Sequence, residues 1–499
     1  MLKKYFEVML NTMLLLFVVS TLAYAQNGID PYAETGSIST KKEVDPIQIN
    51  ANNINVLSAG RATISSNLKP IVGNFMFSWL ESIAPESFRI EWEVESPGAG
   101  SYDVTAMIFG QANIELRCNG KKLEAINTEQ DWSRLLLGKV ELKKGVNTLQ
   151  MLVKAVDKFK LSSIELTQPE VQQNGLKDAL KMRRDPDWFK DAAYGLMFQW
   201  TNRATPKKGD TIKNWEDKVN DFDVERFANM VEQSGAAYVI WSITWGQQYI
   251  SAPIKSLDKI IEGRTTNRDL LGEMANRLNE KGIKLIFYYH YGYDCHHSTD
   301  STWLQAAGGY KADKTELYQN ISTILAELGT RYGDKLNGWF FDGAHRYYDC
   351  HFDGSTGGIL SAPFKEISQA ARSGNSERII AYNSWILPRL TEYQDYFAGE
   401  GLKQFEGLKE GKFQEGLQKG LMAHTCFPFE KRWGHIDWNT AIASPKYTLE
   451  QLTERIKYAQ KNRYPLSINL EMYEDGSVSP ESIELLKKVR NAVRDNRGN

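Results

Sequence analysis

Apolar residues recur at every second position up to about residue 168, and beyond it they follow a strand-then-helix rhythm. In "SFRIEWEVE", Phe88, Ile90, Trp92 and Val94 alternate with Arg89, Glu91 and Glu93. Successive side chains of a strand point to opposite faces, so this alternation describes a strand buried on one side. The segments "YDVTAMIFG", "NIELRC", "RLLLGKVEL", "GVNTLQMLV" and "KLSSIEL" repeat it, separated by turn residues such as Pro97-Gly98 and Asn119-Gly120. No long helical pattern interrupts them, which predicts an antiparallel β-sandwich over residues 46–168. The polar run 169–184 reads as a linker with helical character.

After residue 185 apolar strand patterns alternate with amphipathic helical ones. Strands are predicted at 193–200, 237–244, 284–290, 336–342, 378–384, 393–398, 421–425 and 466–470. Helical patterns cover 223–234, 266–281, 314–332, 449–461 and 479–494. Eight strands mostly alternating with helices predict an α/β fold, a (β/α)8-type barrel over residues 185–499. A doubly wound sheet is the alternative, but no G-x-G-x-x-G or Walker loop speaks for it. Residues 399–420, a near-repeat of Glu-Gly-Leu-Lys units broken by glycines, read as a solvated insertion in a barrel loop, with a lid as the other reading.

The first 25 residues combine Lys3-Lys4, the apolar run Met13–Val19 and Ala23-Tyr24-Ala25. That is the pattern of a secretory signal peptide, with a single membrane anchor as the alternative. The expectation is export to the periplasm or the extracellular space, followed by a flexible leader over 26–45. A formal net charge of −2 gives no electrostatic footing for nucleic acid. The four cysteines have no C-x-x-C spacing, so neither a zinc site nor a disulfide scaffold is predicted; Cys295 and Cys350 are a candidate pair.

All seven histidines follow residue 289, and aromatic residues gather in the second region. In a barrel, chemistry collects at the C-terminal ends of the strands. Those ends supply Gln199-Trp200, Thr244-Trp245, His290-Tyr291, Asp342, Asn383-Ser384, Asp395, His424-Thr425 and Asn469. Hydrogen-bonding groups ringed by aromatics suit a sugar, which offers hydroxyls at its edge and C–H groups on its faces. His296, His297 and His351, with Asp294, Asp349 and Asp353, form a conceivable metal cluster. They lack an H-x3-H spacing, so no metal and no cofactor is expected. Asp342, where the apolar run Trp339-Phe340-Phe341 ends, is either a reaction centre or a loop cap.

Several of these segments together resemble the α-L-fucosidases of glycoside hydrolase family 29. "DPDWFKDAAYGLMFQW" (185–200) resembles that family's opening W-F-x-x-A-K-F-G-x-F-x-H-W run, and "AYVIWSITWGQQY" stands where it has Y-V-V-L-T-A-K-H-H-D-G-F. "GIKLIFYYH" is similar to its G-L-Y-Y-S strand and "GWFFDG" to its W-F-D-G. "HTCFPFEKRWGH" (424–435) follows W-E-T-C-x-x-x-x-x-x-W-G-Y, and "INLEMYEDGSVSPESIELL" (468–486) follows L-N-I-G-P-x-x-D-G-x-I. The resemblance implies a retaining exo-glycosidase with Asp342 as nucleophile. It leaves the acid/base open between Glu400, the first choice, and Glu430, Glu406 or His424. It implies sugar contacts by Gln199, Trp200, Trp245, His290, Tyr291, Asn383, His424 and Trp433, and a carbohydrate substrate. The family's His-His pair is Trp245-Gly246 here, which implies either a related L-sugar or substituted fucose, or a glycan-binding protein without turnover. The sandwich resembles carbohydrate-binding modules.

Overall fold

The computed structural model of the 499-residue chain describes residues 34–36, 45–73, 78–82, 85–292, 300–311, 314–343, 361–383, 391–416 and 418–494. Its architecture is mixed α/β. Before residue 168 there are two mainly antiparallel sheets. One runs in the order Glu34–Gly36, Lys69–Gly73, Ser78–Ser82, Phe159–Thr167, Gly100–Phe109, Trp132–Leu142, and the other Lys121–Asn127, Ala112–Cys118, Gly145–Ala155, Ser87–Ser96, Ile47–Gln48. Phe88, Ile90, Trp92 and Val94 of one sheet share a core with Tyr102, Val104, Ala106 and Ile108 of the other. The Trp92 indole N–H donates across that core to the Ser58 carbonyl at 3.0 Å. The linker forms the helix Pro169–Met182.

The rest of the chain is built on a parallel sheet in the order Ile379–Tyr382, Gly338–Asp342, Lys284–His290, Tyr238–Ser242, Tyr194–Phe198, Leu466–Leu470, Thr425–Pro428. The helices Val224–Ser234, Leu270–Glu280 and Leu449–Lys461 start where the sequence supplies caps. Asp223 accepts from Arg226 N, Asp269 from Gly272 N, and Thr448 with Gln451 forms a capping box. Each strand is apolar on both faces, but its two faces meet different partners. Leu196, Phe198, Val239, Trp241, Phe287, Trp339 and Phe341 pack under the helices. Their neighbours Met197, Tyr238, Ile240, Ile286, Tyr288 and Phe340 form a second, inward cluster.

Six of the eight expected strand segments pair in this sheet; 421–425 reaches it only at Thr425, where the strand Thr425–Pro428 begins, so His424 precedes that strand instead of ending one, and 393–398 does not pair in it. Its Asp395 carboxylate takes the Ile380 N–H at 2.8 Å and the Arg372 guanidinium at 2.6 Å, so a ladder bond of the neighbouring strand is spent on a side chain. Irregular backbone bonds replace the ladder: Asp395 N donates to Ile380 O at 2.7 Å and Phe397 N to Met422 O at 2.8 Å. The 399–420 segment is also less solvated than its glycines suggest. Leu402, Phe405, Leu408 and Phe413 pack on the core under the helices, and Tyr458 donates to Phe405 O at 3.2 Å. Among the described residues no helix is long and apolar enough to cross a membrane.

Arg378 leads into the Ile379–Tyr382 strand and is fully buried without an acid. Its guanidinium donates to the carbonyls of Leu336 at 2.9 Å, Ala371 at 3.0 Å, Gly329 at 2.5 Å and Gly333 at 2.6 Å. Burial alone pushes its pKa down to about 10. Arg378→Met leaves those carbonyls without donors and is expected to cost about 3–5 kcal/mol. The check is thermal unfolding, with a melting temperature lower by about 10 °C; an unchanged value contradicts the role.

Candidate active site

Strand parity decides which strand-end residues meet. Asp342 follows Phe340 on the inward face of Gly338–Asp342, and His290 follows Tyr288 on Lys284–His290 in register with it. Asn383 continues the inward face of Ile379–Tyr382, and its backbone N–H donates to Phe341 O at 2.8 Å. Asp342 is half-buried. Its Oδ2 accepts from the Tyr288 hydroxyl at 2.5 Å, and its Oδ1 accepts from Gly343 N and from Asn383 Nδ2, each at 3.0 Å. Three donors on one carboxyl favour its ionised form.

Glu400 arrives from outside the sheet. The chain turns at Gly399, whose φ is +66° and where a Cβ would sit 1.7 Å from His424 O. That contact admits only glycine. Backbone bonds from Cys426 N to Gly399 O at 3.0 Å and from Gly401 N to Cys426 O at 2.8 Å hold the turn. Glu400 Oε2 then accepts from the same Asn383 Nδ2 at 3.0 Å. Asp342 and Glu400 therefore share one donor, and their oxygens lie within twice that distance of each other. Cys426 sits beside both; burial raises its thiol well above the ordinary value, and the charges of Glu400 and Asp342 raise it further.

The other expected site residues divide by face. His290 is inward and buried, and its Nδ1 accepts from Gly292 N at 3.0 Å, which places its proton on Nε2. Gln199 is inward, with its carbonyl taken by the Ser242 hydroxyl. Trp245 and Trp433 are half-buried against the inward cluster, and Arg203 lies 5.2 Å over the Trp245 ring. Trp200 and Tyr291 have the opposite parity and pack in the core under the helices. Trp200 packs in tilted and edge-on contacts against Trp215, Phe222 and Trp241 and donates to Tyr473 O at 3.1 Å.

Of the alternative acids, His424 is fully buried, with Nδ1 2.7 Å from Ala398 O and Nε2 2.8 Å from Ser467 Oγ. Burial pushes its pKa down to about 4, so it is neutral at pH 7 and braces the turn that carries Glu400. Glu430 is fully buried against the helix Pro480–Val493. It accepts from Ser482 Oγ at 2.5 Å and Glu471 N at 3.0 Å, and burial pushes its pKa up to about 8. Glu406 is exposed. Sequence reading missed Tyr288; the signal was its parity, two residues before His290 on the same face. The candidate metal cluster of His296, His297, His351, Asp294, Asp349 and Asp353, and the candidate pair Cys295–Cys350, lie outside the described residues. Among the described residues no group of three potential ligands assembles, and Cys118 and Cys426 are buried free thiols.

The alpha-L-fucosidase family model matches residues 210–496. Among solved structures, an alpha-L-fucosidase of glycoside hydrolase family 29 from Bacteroides thetaiotaomicron is similar at 19% identity and a TM-score of 0.44, over 62% of this chain and 73% of that one. AlfC from Lactobacillus casei, an alpha-L-fucosidase in complex with its alpha-L-fucose product, is similar at 15% identity and a TM-score of 0.44, over 62% and 97%. Alpha-L-fucosidase isoenzyme 1 from Paenibacillus thiaminolyticus is similar at 17% identity and a TM-score of 0.45, over 64% and 76%. No curated protein matches.

Glu430 yields a pH prediction. Its carboxyl keeps its proton to about pH 8 in the native state, against an ordinary value of 4.5. Between those values the native state binds more protons than the unfolded one, so stability falls as pH rises through that window. Glu430→Gln carries no titrating proton there. Melting temperatures measured across the window are expected to fall more steeply for the natural protein than for the variant; parallel curves contradict the assignment.

Proposed function

The chain belongs to the alpha-L-fucosidase family, and on that premise we propose that it is a retaining exo-α-glycosidase releasing a terminal α-L-fucosyl or related L-sugar residue from a glycan. The observation that carries this reading is the amide shared by two carboxyls. Each lies 3.0 Å from Asn383 Nδ2, which keeps the pair near the ~5–5.5 Å of retaining enzymes and below the ~6.5–9.5 Å that an inverting one needs for its water. In this reading ionised Asp342 attacks the anomeric carbon while the bond to the leaving oxygen breaks and Glu400 protonates that oxygen. Water then attacks the glycosyl ester, Glu400 takes the water's proton, and Asp342 departs with its electron pair. Tyr288 and Gly343, donating to Asp342, keep it anionic between turnovers.

Gln199 and His290 offer polar groups on the inward face, and Trp245 and Trp433 offer half-buried ring faces for a sugar. Trp200 and Tyr291 support them from the helix side. We read the parallel sheet, with 395–397 hydrogen-bonded to the Ile380 and Met422 backbones and 399–401 to Cys426, as a (β/α)8-type barrel over 185–499, preceded by a carbohydrate-binding-module-like β-sandwich over 46–168. The signal-like first 25 residues support export to the periplasm or beyond. Glycan binding without turnover is the competing reading, favoured by Trp245-Gly246 where the family carries a His-His pair.

Kinetics on 4-nitrophenyl α-L-fucoside, the α-L-galactoside and fucosylated glycans test the two. Asp342→Asn is expected to lower kcat/KM by roughly 10⁴-fold or more. Glu400→Gln is expected to lose about 10²–10⁴-fold on glycans and much less on the nitrophenyl glycoside, whose leaving group needs little protonation. Undiminished turnover in Asp342→Asn, or equal losses on both substrate types in Glu400→Gln, contradicts the assignment.

A further inference from the structure

Asn383 was expected to touch the sugar, but its amide is occupied by the two carboxyls. It is only 8% exposed, its backbone is tied to Phe341 O, and its Nδ2 donates to Asp342 Oδ1 and to Glu400 Oε2. The amide nitrogen has two hydrogens and no lone pair to offer, and its carbonyl in that place would face two acceptors. Both contacted carboxyl oxygens must therefore accept. For ionised Asp342 this is no constraint. For a neutral Glu400 it is one, because the carbonyl oxygen of a protonated carboxyl is much the better acceptor.

We propose that Asn383 is a positioning residue that fixes the proton of Glu400 on Oε1, the oxygen not bonded to Asn383, while keeping Asp342 ionised. Two carboxyls within about 6 Å feel each other's charge, so the proton of one depends on the ionisation of the other. The bridging amide gives the two carboxyls different roles: its N–H groups meet Asp342 Oδ1 and Glu400 Oε2, and the acidic proton is carried by the other oxygen of Glu400. Once Glu400 is ionised, the same bond leaves Oε1 as the base toward water. The proposal rests on the Asp342–Glu400 assignment.

The test is the pH dependence of kcat/KM for Asn383→Ala on 4-nitrophenyl α-L-fucoside, with Asn383→Asp, which keeps the shape but not the donors, as second variant. Loss of a charge-assisted hydrogen bond from Asp342 disfavours its ionised form, so the acid limb is expected to move up by about one pH unit. The loss of kcat on a fucosylated disaccharide is expected to exceed that on the nitrophenyl glycoside by about tenfold or more, while melting stays within a few degrees. A fall in kcat with the acid limb and the leaving-group dependence unmoved reduces Asn383 to a structural residue and overturns the proposal. Should Asn383→Ala not fold, the same readings on Asn383→Asp decide. Full activity in Asp342→Asn overturns the underlying pair; an inactive Asp342→Asn beside an unmoved Asn383 profile overturns this inference alone.

Discussion

Two carboxyl groups carried far apart in the chain meet at one amide nitrogen, and the surrounding structure holds both to it. Asp342 ends a strand whose other side chains are locked between the helices and the inward cluster, so its direction follows from the register of the Gly338–Asp342 strand. Glu400 has no strand of its own. It depends on a glycine turn, on paired backbone bonds to Cys426, and on a buried neutral histidine bonded to Ala398 and Ser467. Two carboxyls held this close repel whenever both are ionised, and the donors from Tyr288, Gly343 and Asn383 favour the charge on Asp342.

The rest of the second region can be seen as support for that meeting. Asp395 gives up a regular strand to pair with Arg372 and the Ile380 N–H, and in doing so it leads the chain from the sheet edge toward Gly399. Arg378 ties the base of the Ile379–Tyr382 strand to the carbonyls of Gly329, Gly333, Leu336 and Ala371. Both are buried charges placed where backbone groups would otherwise lack partners, which is a costly arrangement that survives because nearly every hydrogen bond is made.

Much of this could be read from the amino-acid order, and the exceptions have physical causes. The Lys284–His290 and Leu466–Leu470 strands match the expected segments residue for residue, the first an aromatic-rich run and the second an apolar-polar alternation of Leu466, Ile468 and Leu470. The helix Leu449–Lys461 matches as closely, through its capping box. The 393–398 segment misled because apolar spacing does not reveal that a side chain will take a neighbour's N–H. Trp200 and Tyr291 stand at strand ends, but counting in twos from Met197 and Tyr288 sends both to the helix side. His424 looked like a chemical residue and is a brace, since no pattern in sequence announces that both ring nitrogens will be satisfied.

Family membership supplies the kind of reaction, and the residues of this chain narrow who performs it. A glycosyl ester on Asp342 is the claim on which the account stands. Incubation with 2-deoxy-2-fluoro-α-L-fucosyl fluoride slows the second step more than the first, so a retaining enzyme accumulates that ester. Mass spectrometry of the intact protein, followed by peptide mapping, reads it directly. The account predicts one fluorofucosyl adduct per chain, carried by the peptide containing Asp342 and absent from Asp342→Asn; an adduct on another carboxylate, or an adduct that persists in that variant, contradicts it.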